Sequence, residues 1–175
     1  NAQEGYKAVY DATAEQPAVG ALFDSNEIAH NNPTHRDWDS GEQGGGKATN
    51  TQHLTFWYNY AHDNGGPSFW TDSNNIYTIY WFNRSRNDTN GIEHEISFNA
   101  SIIGNDLQDM GSQSHQSNCP GFYFSCAGIA IENSGGLTGR FAGIIEVANN
   151  TIKPGQYGRA IAIREQHRGA CGRCG

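Results

Sequence analysis

The chain has 175 residues, a formal net charge of −7 and only 11 Lys and Arg residues. This charge excludes a nucleic-acid binder that relies on a broad basic surface, and no stretch approaches the roughly 18 consecutive apolar residues of a membrane-spanning helix. Charged residues make up 17% and aromatic residues 11%, which predicts a folded chain rather than a disordered one. The length fits one domain over residues 1–175.

Short strands dominate the elements predicted along the chain. Residues 6–10 form the first strand, residues 18–30 a short helix with Asp24 and Glu27 on its polar side, and residues 31–51 one long irregular loop. Alternating or continuous apolar residues then predict six further strands, at 53–60, 75–82, 92–103, 121–131, 140–147 and 157–164.

The connections between these strands point to an antiparallel fold. Residues 87–91 end in an Asn-Gly pair, which predicts a hairpin between two of the strands. The pattern lacks the helices that parallel βαβ units require, and no repeat of fixed period is visible. We therefore predict an all-β fold, either an antiparallel β-sandwich of the jelly-roll kind or a barrel, with at most one short N-terminal helix.

Four glycosylation sequons predict passage through a eukaryotic secretory pathway. Each places an Asn two residues before a hydroxyl residue, with no Pro between them, at Asn83, Asn87, Asn99 and Asn149. The alternation in 92–103 puts Asn99 on the outward face, where a glycan has room. The chain begins at Asn1 rather than Met, and we expect a secretory leader to have been removed. These features predict a secreted, extracellular glycoprotein.

The cysteines support an oxidising compartment. There are four of them, Cys119, Cys126, Cys171 and Cys174, and three pairings are possible. Their spacing favours two local disulfides, Cys119–Cys126 and Cys171–Cys174. A zinc site is one alternative, because Cys171 and Cys174 have the spacing of half a zinc knuckle. A thioredoxin-like redox motif is another, although such a motif is expected between a strand and a helix.

The segment Glu93-His94-Glu95 is a candidate acid/base site. Two carboxylates two residues apart on one strand face lie about 7 Å apart, within the range of glycosidase acid/base pairs. His94 then points to the opposite side, as a hydrogen-bonded core histidine or as a base. The alternative is that the two glutamates belong to a solvated outer face. An arginine to hold an anion would come from Arg140, Arg159 or Arg164.

Histidines and aspartates of the long loop suggest a metal site. No pair has the short spacing of common zinc sites. The weak candidates lie in or beside the 31–51 loop: His30, His35, Asp37 and Asp39. Surface and turn roles are the alternative for these residues, and the sequence predicts no cofactor.

Aromatic side chains beside amides and charged groups suggest sugar recognition. Ring faces stack on sugar C–H groups, while amides and carboxylates bind hydroxyls. The candidate ligand-binding residues are Trp38, Trp57, Asn59 and Trp70. The alternative is that these rings cover a second core layer. Trp81, in the most apolar predicted strand, is predicted to be a core residue.

Three functions of different classes follow from these features. The leading one is a secreted β-sandwich that binds carbohydrate, lectin-like or glycan-active, with a glycan or polysaccharide as its partner. The second is a small secreted hydrolase, a ribonuclease or a glycosidase, that uses a His/Glu acid–base pair. The third is a structural extracellular protein whose copies associate through sheet edges and that has no active site.

Overall fold

The computed structural model describes residues 4–9, 18–32, 44–111, 126–134 and 143–165. Within these ranges the chain consists of short strands, β1 to β18, joined by turns and bends. The strands form three large parallel sheets and one small parallel pair. The largest, called the first sheet, has the order β1-β5-β9-β12-β15-β18. Its strands are β1 (Glu4–Val9), β5 (Gly44–Thr49), β9 (Phe69–Asp72), β12 (Ile92–Glu95), β15 (Ala127–Glu132) and β18 (Arg159–Arg164).

The second and third sheets have five strands each, in the orders β16-β13-β10-β7-β3 and β17-β14-β11-β8-β4. The second sheet is built from β3 (Leu22–Asp24), β7 (Thr55–Trp57), β10 (Thr78–Trp81), β13 (Ala100–Ile103) and β16 (Ile145–Ala148). The third sheet is built from β4 (Glu27–Ala29), β8 (Tyr60–His62), β11 (Arg84–Arg86), β14 (Asp106–Gln108) and β17 (Thr151–Lys153). The small pair joins β2 (Ala18–Val19) to β6 (Thr51–Gln52).

The order of the strands shows that the chain winds as a parallel β-helix. Each pass visits the first, second and third sheets in turn, and each strand pairs in parallel with its counterpart in the next pass. The predicted antiparallel sandwich or barrel is therefore wrong. Alternation along a strand reports which side chains are buried, but it carries no information about the direction of the partner strand. The crossover that parallel strands need comes here from the other two sheets rather than from a helix.

Three local predictions are wrong as well. Residues 18–30 hold strands β2, β3 and β4 instead of a helix, and the predicted strand 92–103 is two strands of different sheets. Residues 87–91 join the third sheet to the first and form no hairpin. The 31–51 stretch contains β5, whose glycines are required by crowding: a Cβ on Gly45 would lie 2.4 Å from the Ser68 carbonyl oxygen.

An asparagine ladder fixes the corner between the second and third sheets. In each pass this corner is two residues long, and its second residue is Asn26, Asn59, Asn83, Asn105 or Asn150. The side-chain oxygen of Asn83 accepts from the backbone N–H and the amide of Asn59, each at 3.0 Å. The Asn83 amide in turn donates to the Phe56 carbonyl (2.9 Å) and to the Asn105 side chain (3.1 Å). The buried polar groups of this corner are thereby hydrogen-bonded.

The interior of the helix is packed with aligned apolar side chains. Phe23, Phe56 and Tyr80 occupy matching positions of three successive second-sheet strands. Their rings stack with centroids 5.2 Å and 5.4 Å apart. Repetition in register thus builds one continuous core from passes too short to bury a core alone. Nowhere in the described ranges does the chain form a helix of the length and apolar character that crossing a membrane requires.

Candidate functional site

Two rows of side chains cross the outer face of the first sheet, because Ile92 and His94 point inward and their neighbours point outward. The first row reads Lys47, Trp70, Glu93, Ala130 and Ala162. The second row lies two residues further along these strands and reads Asp72, Glu95, Glu132 and Arg164. Adjacent strands are about 4.8 Å apart. The four carboxylates, Asp72, Glu93, Glu95 and Glu132, are called the acidic cluster below.

The acidic cluster is shielded from water, so its charges interact strongly. Glu93, Glu95 and Glu132 are only 9%, 6% and 3% exposed. Burial and, next, the charge of Glu95 raise the pKa of Glu93 to about 8, against a hydrogen bond from Asn90 that lowers it. That bond runs from Asn90 Nδ2 to Glu93 Oε2 over 2.6 Å. Glu93 is therefore largely protonated at neutral pH.

Cations lie at both ends of the cluster. Lys47 Nζ is 2.8 Å from Asp72 Oδ2 and 4.1 Å from the centre of the Trp70 ring. Arg164 Nη1 lies 3.9 Å from Glu132 Oε1. The Trp70 indole N–H is buried and has no hydrogen-bond partner within the described structure. An unpaired buried donor costs stability unless a ligand satisfies it.

The corners beside the first sheet vary in length, whereas the corner between the second and third sheets does not. Residues 87–91 are enough to connect the third sheet to the first in one pass, and the next such connection spans residues 109–126. Residues 96–99 lead from the first sheet to the second, and the next equivalent stretch spans 133–144. Insertions beside one sheet of a regular scaffold are typical of a functional face.

The structure places His94 apart from the glutamates on either side of it. His94 is fully buried in the core, which lowers its pKa to about 4. Its Nδ1 accepts from the Thr71 hydroxyl (2.7 Å), and its Nε2 donates to the Phe98 carbonyl (3.1 Å). His94 is thus a neutral core residue, and an acid–base pair on this face must consist of carboxylates.

Sequence reasoning identified Glu93 and Glu95 but missed Asp72, Glu132 and Lys47, and it found Arg164 only as one of three arginines. The signal that was available is a recurring pair of outward positions two residues apart, as in Trp70-Thr-Asp72 and Ala130-Ile-Glu132. It is hard to detect because the strands recur at unequal intervals. Arg140 lies outside the described residues, and Arg159 lies at the beginning of β18.

The predicted sugar-binding residues fall in different environments. Trp57 is 40% exposed on the second sheet, whereas Trp70 is 6% exposed and belongs to the acidic face. Asn59 is fully buried in the asparagine ladder, so its amide is committed to the fold. Trp38 lies outside the described residues. Asn59 is only two residues from Trp57 but is not a surface residue, because the chain turns the corner between the second and third sheets there.

A patch of exposed rings, called here the aromatic surface, lies where the second sheet meets the ladder corner. It consists of Trp57, Tyr58, Trp81 and Phe82, which are 37–56% exposed. Trp57 and Trp81 are partners in register on adjacent strands, and the rings of Tyr58 and Phe82 stack at 5.3 Å. Trp81, predicted as a core residue, points outward, and its indole donates to the Ser101 hydroxyl (2.9 Å).

The four sequons differ in accessibility. Asn83 is fully buried, and the bonds of the ladder leave no room for a glycan on its amide in the folded chain. The amide of Asn87 donates to Asp63, and Asn99 is half-buried because the chain bends between β12 and β13. Asn149 is exposed at a corner. Glycosylation of Asn87, Asn99 and Asn149 stays a prediction.

Only one of the four cysteines lies in the described residues. Cys126 is fully buried and is not a free cysteine. Cys119, Cys171 and Cys174 lie outside the described ranges, so the predicted pairings stay predictions.

Of the four weak metal candidates, the described residues include His30, which lies close to His62 and Asp63. His35, Asp37 and Asp39 lie outside these ranges. Burial lowers the pKa of His62, but its bonds to Asp63 and Glu27 outweigh burial and raise the pKa overall. The same bond to His62 is the main reason why the pKa of Asp63 is lowered.

Comparisons with protein-family models, with curated proteins and with solved structures find no match to this chain.

Proposed function

We propose that this protein binds a polysaccharide at the outer face of the first sheet and cleaves its glycosidic bonds by acid/base catalysis. The observation that carries the proposal is Glu93, a carboxyl group with a pKa of about 8 beside Glu95. Two carboxyl groups whose environments separate their protonation states can serve as acid and base in one reaction. The location also fits, because connections of variable length lie on both sides of this sheet.

The protonated Glu93 would donate its proton to the glycosidic oxygen as the bond to the anomeric carbon breaks. Water attacks that carbon, and Glu95 accepts the proton that the water releases. The unpaired indole N–H of Trp70, next to Glu93 in its row, is available to a sugar hydroxyl. Substrate would approach from the side of Asp72 and Arg164, whose side chains are 15% and 35% exposed.

Release of reducing ends from a panel of neutral and acidic polysaccharides tests the proposal. We expect Glu93→Gln and Glu95→Gln to lower turnover by about 10²–10⁴-fold, because each removes a proton-transfer group. Glu146→Gln is the matched control, since Glu146 is exposed on the second sheet, and it should leave turnover unchanged. Equal turnover in all three variants, or no turnover by the unaltered protein on any substrate, would refute catalysis by the acidic cluster.

The aromatic surface favours a second candidate, carbohydrate binding without catalysis. Its four rings are exposed, whereas three of the four acidic-cluster carboxylates are less than a tenth exposed. Exposed indole faces stack on sugar rings. Polysaccharide binding that is lost in Trp57→Ala and Trp81→Ala, but kept in Tyr77→Ala, would support this function. Tyr77 suits the control because it is exposed outside the patch, where it stacks on His53. Self-association stays a prediction.

A further inference from the structure

We propose that His30, His62 and Asp63 form a binding site for a divalent transition-metal ion such as Zn²⁺. Each of the three side chains offers one ligand atom, and these atoms all lie within 4.8 Å of one another. The site lies at the end of the third sheet, on a different face from the acidic cluster. The inference is therefore independent of the proposed function.

Strand register brings these distant residues together. Ala29 and His62 are partners on adjacent strands of the third sheet, and His30 and Asp63 follow them directly. The backbone N–H of His30 donates to the His62 carbonyl over 3.3 Å. His30 and Asp63 both have positive φ, 56° and 54°, and so turn away from the sheet at the same level. The imidazole rings of His30 and His62 meet edge to face, with centroids 5.5 Å apart.

Two neighbours hold the ligand groups in the orientation that a metal needs. Glu27 Oε1 lies 3.1 Å from His62 Nε2, and the amide of Asn87 donates to Asp63 Oδ1 over 2.6 Å. The remaining atoms, His62 Nδ1 and Asp63 Oδ2, face each other at 2.7 Å. A carboxylate on the far nitrogen of a ligating histidine is the usual outer partner in metal sites, where it fixes the tautomer and the ring orientation.

The donor set indicates the class of metal. Two imidazoles and one carboxylate suit Zn²⁺, Co²⁺, Ni²⁺ or Cu²⁺, whereas Mg²⁺ and Ca²⁺ prefer sites built from oxygen alone. Ligands of a tetrahedral zinc ion are about 3.4 Å apart, given metal–ligand distances of about 2.1 Å. The His62–Asp63 pair therefore needs to open by less than ~1 Å, with the metal replacing the shared proton. Water would complete the coordination.

Calorimetric titration with ZnCl₂, together with the visible spectrum of the Co²⁺-loaded protein, tests the site. We expect one ion bound through this site, with affinity at least 10-fold weaker in His30→Ala and in His62→Ala. His53→Ala is the matched control, because His53 is also an exposed histidine and lies outside the cluster. It should bind the ion as tightly as the unaltered protein.

Two further variants keep the test independent of folding. Asp63→Asn preserves the shape of the side chain and tolerates positive φ, yet it should weaken binding, with an unchanged circular dichroism spectrum. Glu27→Gln, a change in the positioning group, should weaken binding by about 10-fold or more while keeping the stoichiometry. Absence of Zn²⁺ binding by the unaltered protein, or equal binding by His30→Ala, His62→Ala and Asp63→Asn, would overturn the proposal.

Discussion

The ladder corner and the acidic face of the first sheet are built by the same geometry and have opposite properties. In both, the parallel register places side chains of the same kind from successive passes next to one another. An asparagine is both donor and acceptor, so each copy satisfies the next and the row is neutral. An ionised carboxylate only accepts, so the carboxylates of the acidic cluster repel one another, and burial together with this repulsion keeps Glu93 protonated. The first arrangement stabilises the fold, and the second is the place where we propose catalysis.

Breaking the ladder should have the largest effect on stability. Asn83→Ala removes four hydrogen bonds, which join the Asn83 side chain to the Phe56 carbonyl and to the neighbouring Asn59 and Asn105. We expect the free energy of unfolding to fall by about 3–5 kcal/mol, measured by urea denaturation. Gln52→Ala, at a half-buried polar side chain outside the ladder, serves as the control and should cost less than about 0.5 kcal/mol. A similar loss in both variants would contradict a special role for the ladder.

The contribution of the acidic face to stability should fall as the pH rises. The pKa of Glu93 is raised from its ordinary 4.5 to about 8, so the folded state retains a proton that the unfolded state has lost. Stability from this group is present below pH 4.5 and disappears as the pH rises through about 8. We expect Glu93→Gln, which is neutral at every pH, to be more stable than the unaltered protein at pH 8, by roughly 2 kcal/mol relative to their difference at pH 6.5.

Unfolding curves of both proteins at the two pH values measure this difference. His94 also contributes to the pH dependence, because its pKa is lowered in the folded state, but this contribution is common to both proteins and cancels in the comparison. If the two proteins respond to pH identically, Glu93 is not the carboxyl group that holds the extra proton.

Asp88 offers a smaller test, because it is a carboxyl group inside a ladder. It accepts from the backbone N–H of Asn64 (2.6 Å) and from the Ser68 hydroxyl, in a short amide ladder that begins at Asn31. Burial raises its pKa to about 7, so its contribution to stability also falls as the pH rises through 7. Asp88→Asn should gain stability relative to the unaltered protein between pH 6 and pH 9, by roughly 1–2 kcal/mol, measured by urea denaturation. A relative loss of stability over this interval would mean that the carboxylate itself is required at high pH.

The smallest effect is expected at the residue that precedes the ladder. Ser25 is exposed and has a φ of 56°, a conformation that glycine adopts without steric cost. Ser25→Gly should raise the unfolding free energy by about 0.5 kcal/mol, since relief of strain slightly exceeds the added chain entropy. Thermal unfolding measures this, and a loss above about 1 kcal/mol would show that the Ser25–Asp24 hydrogen bond matters more than the backbone conformation.

The unequal length of the passes explains why the repeat escaped the sequence analysis. Successive ladder asparagines are 33, 24, 22 and 45 residues apart, so no fixed period exists. The insertions lie at the corners beside the first sheet, where they do not disturb the register of the other two. A search for Asn in a fixed position before a short strand would have found the ladder, whereas a search for a period cannot.

The amino-acid sequence by itself determined that the chain forms short strands and that Glu93 and Glu95 share a face, because side-chain alternation is a local property. Only the tertiary structure decided that strands pair in parallel, that Asn59 is buried in a ladder, and that Asp72 and Glu132 lie on either side of Glu95. Those facts depend on which residues of successive passes come into register. Register is set by corner lengths and core packing over tens of residues, which no local pattern records.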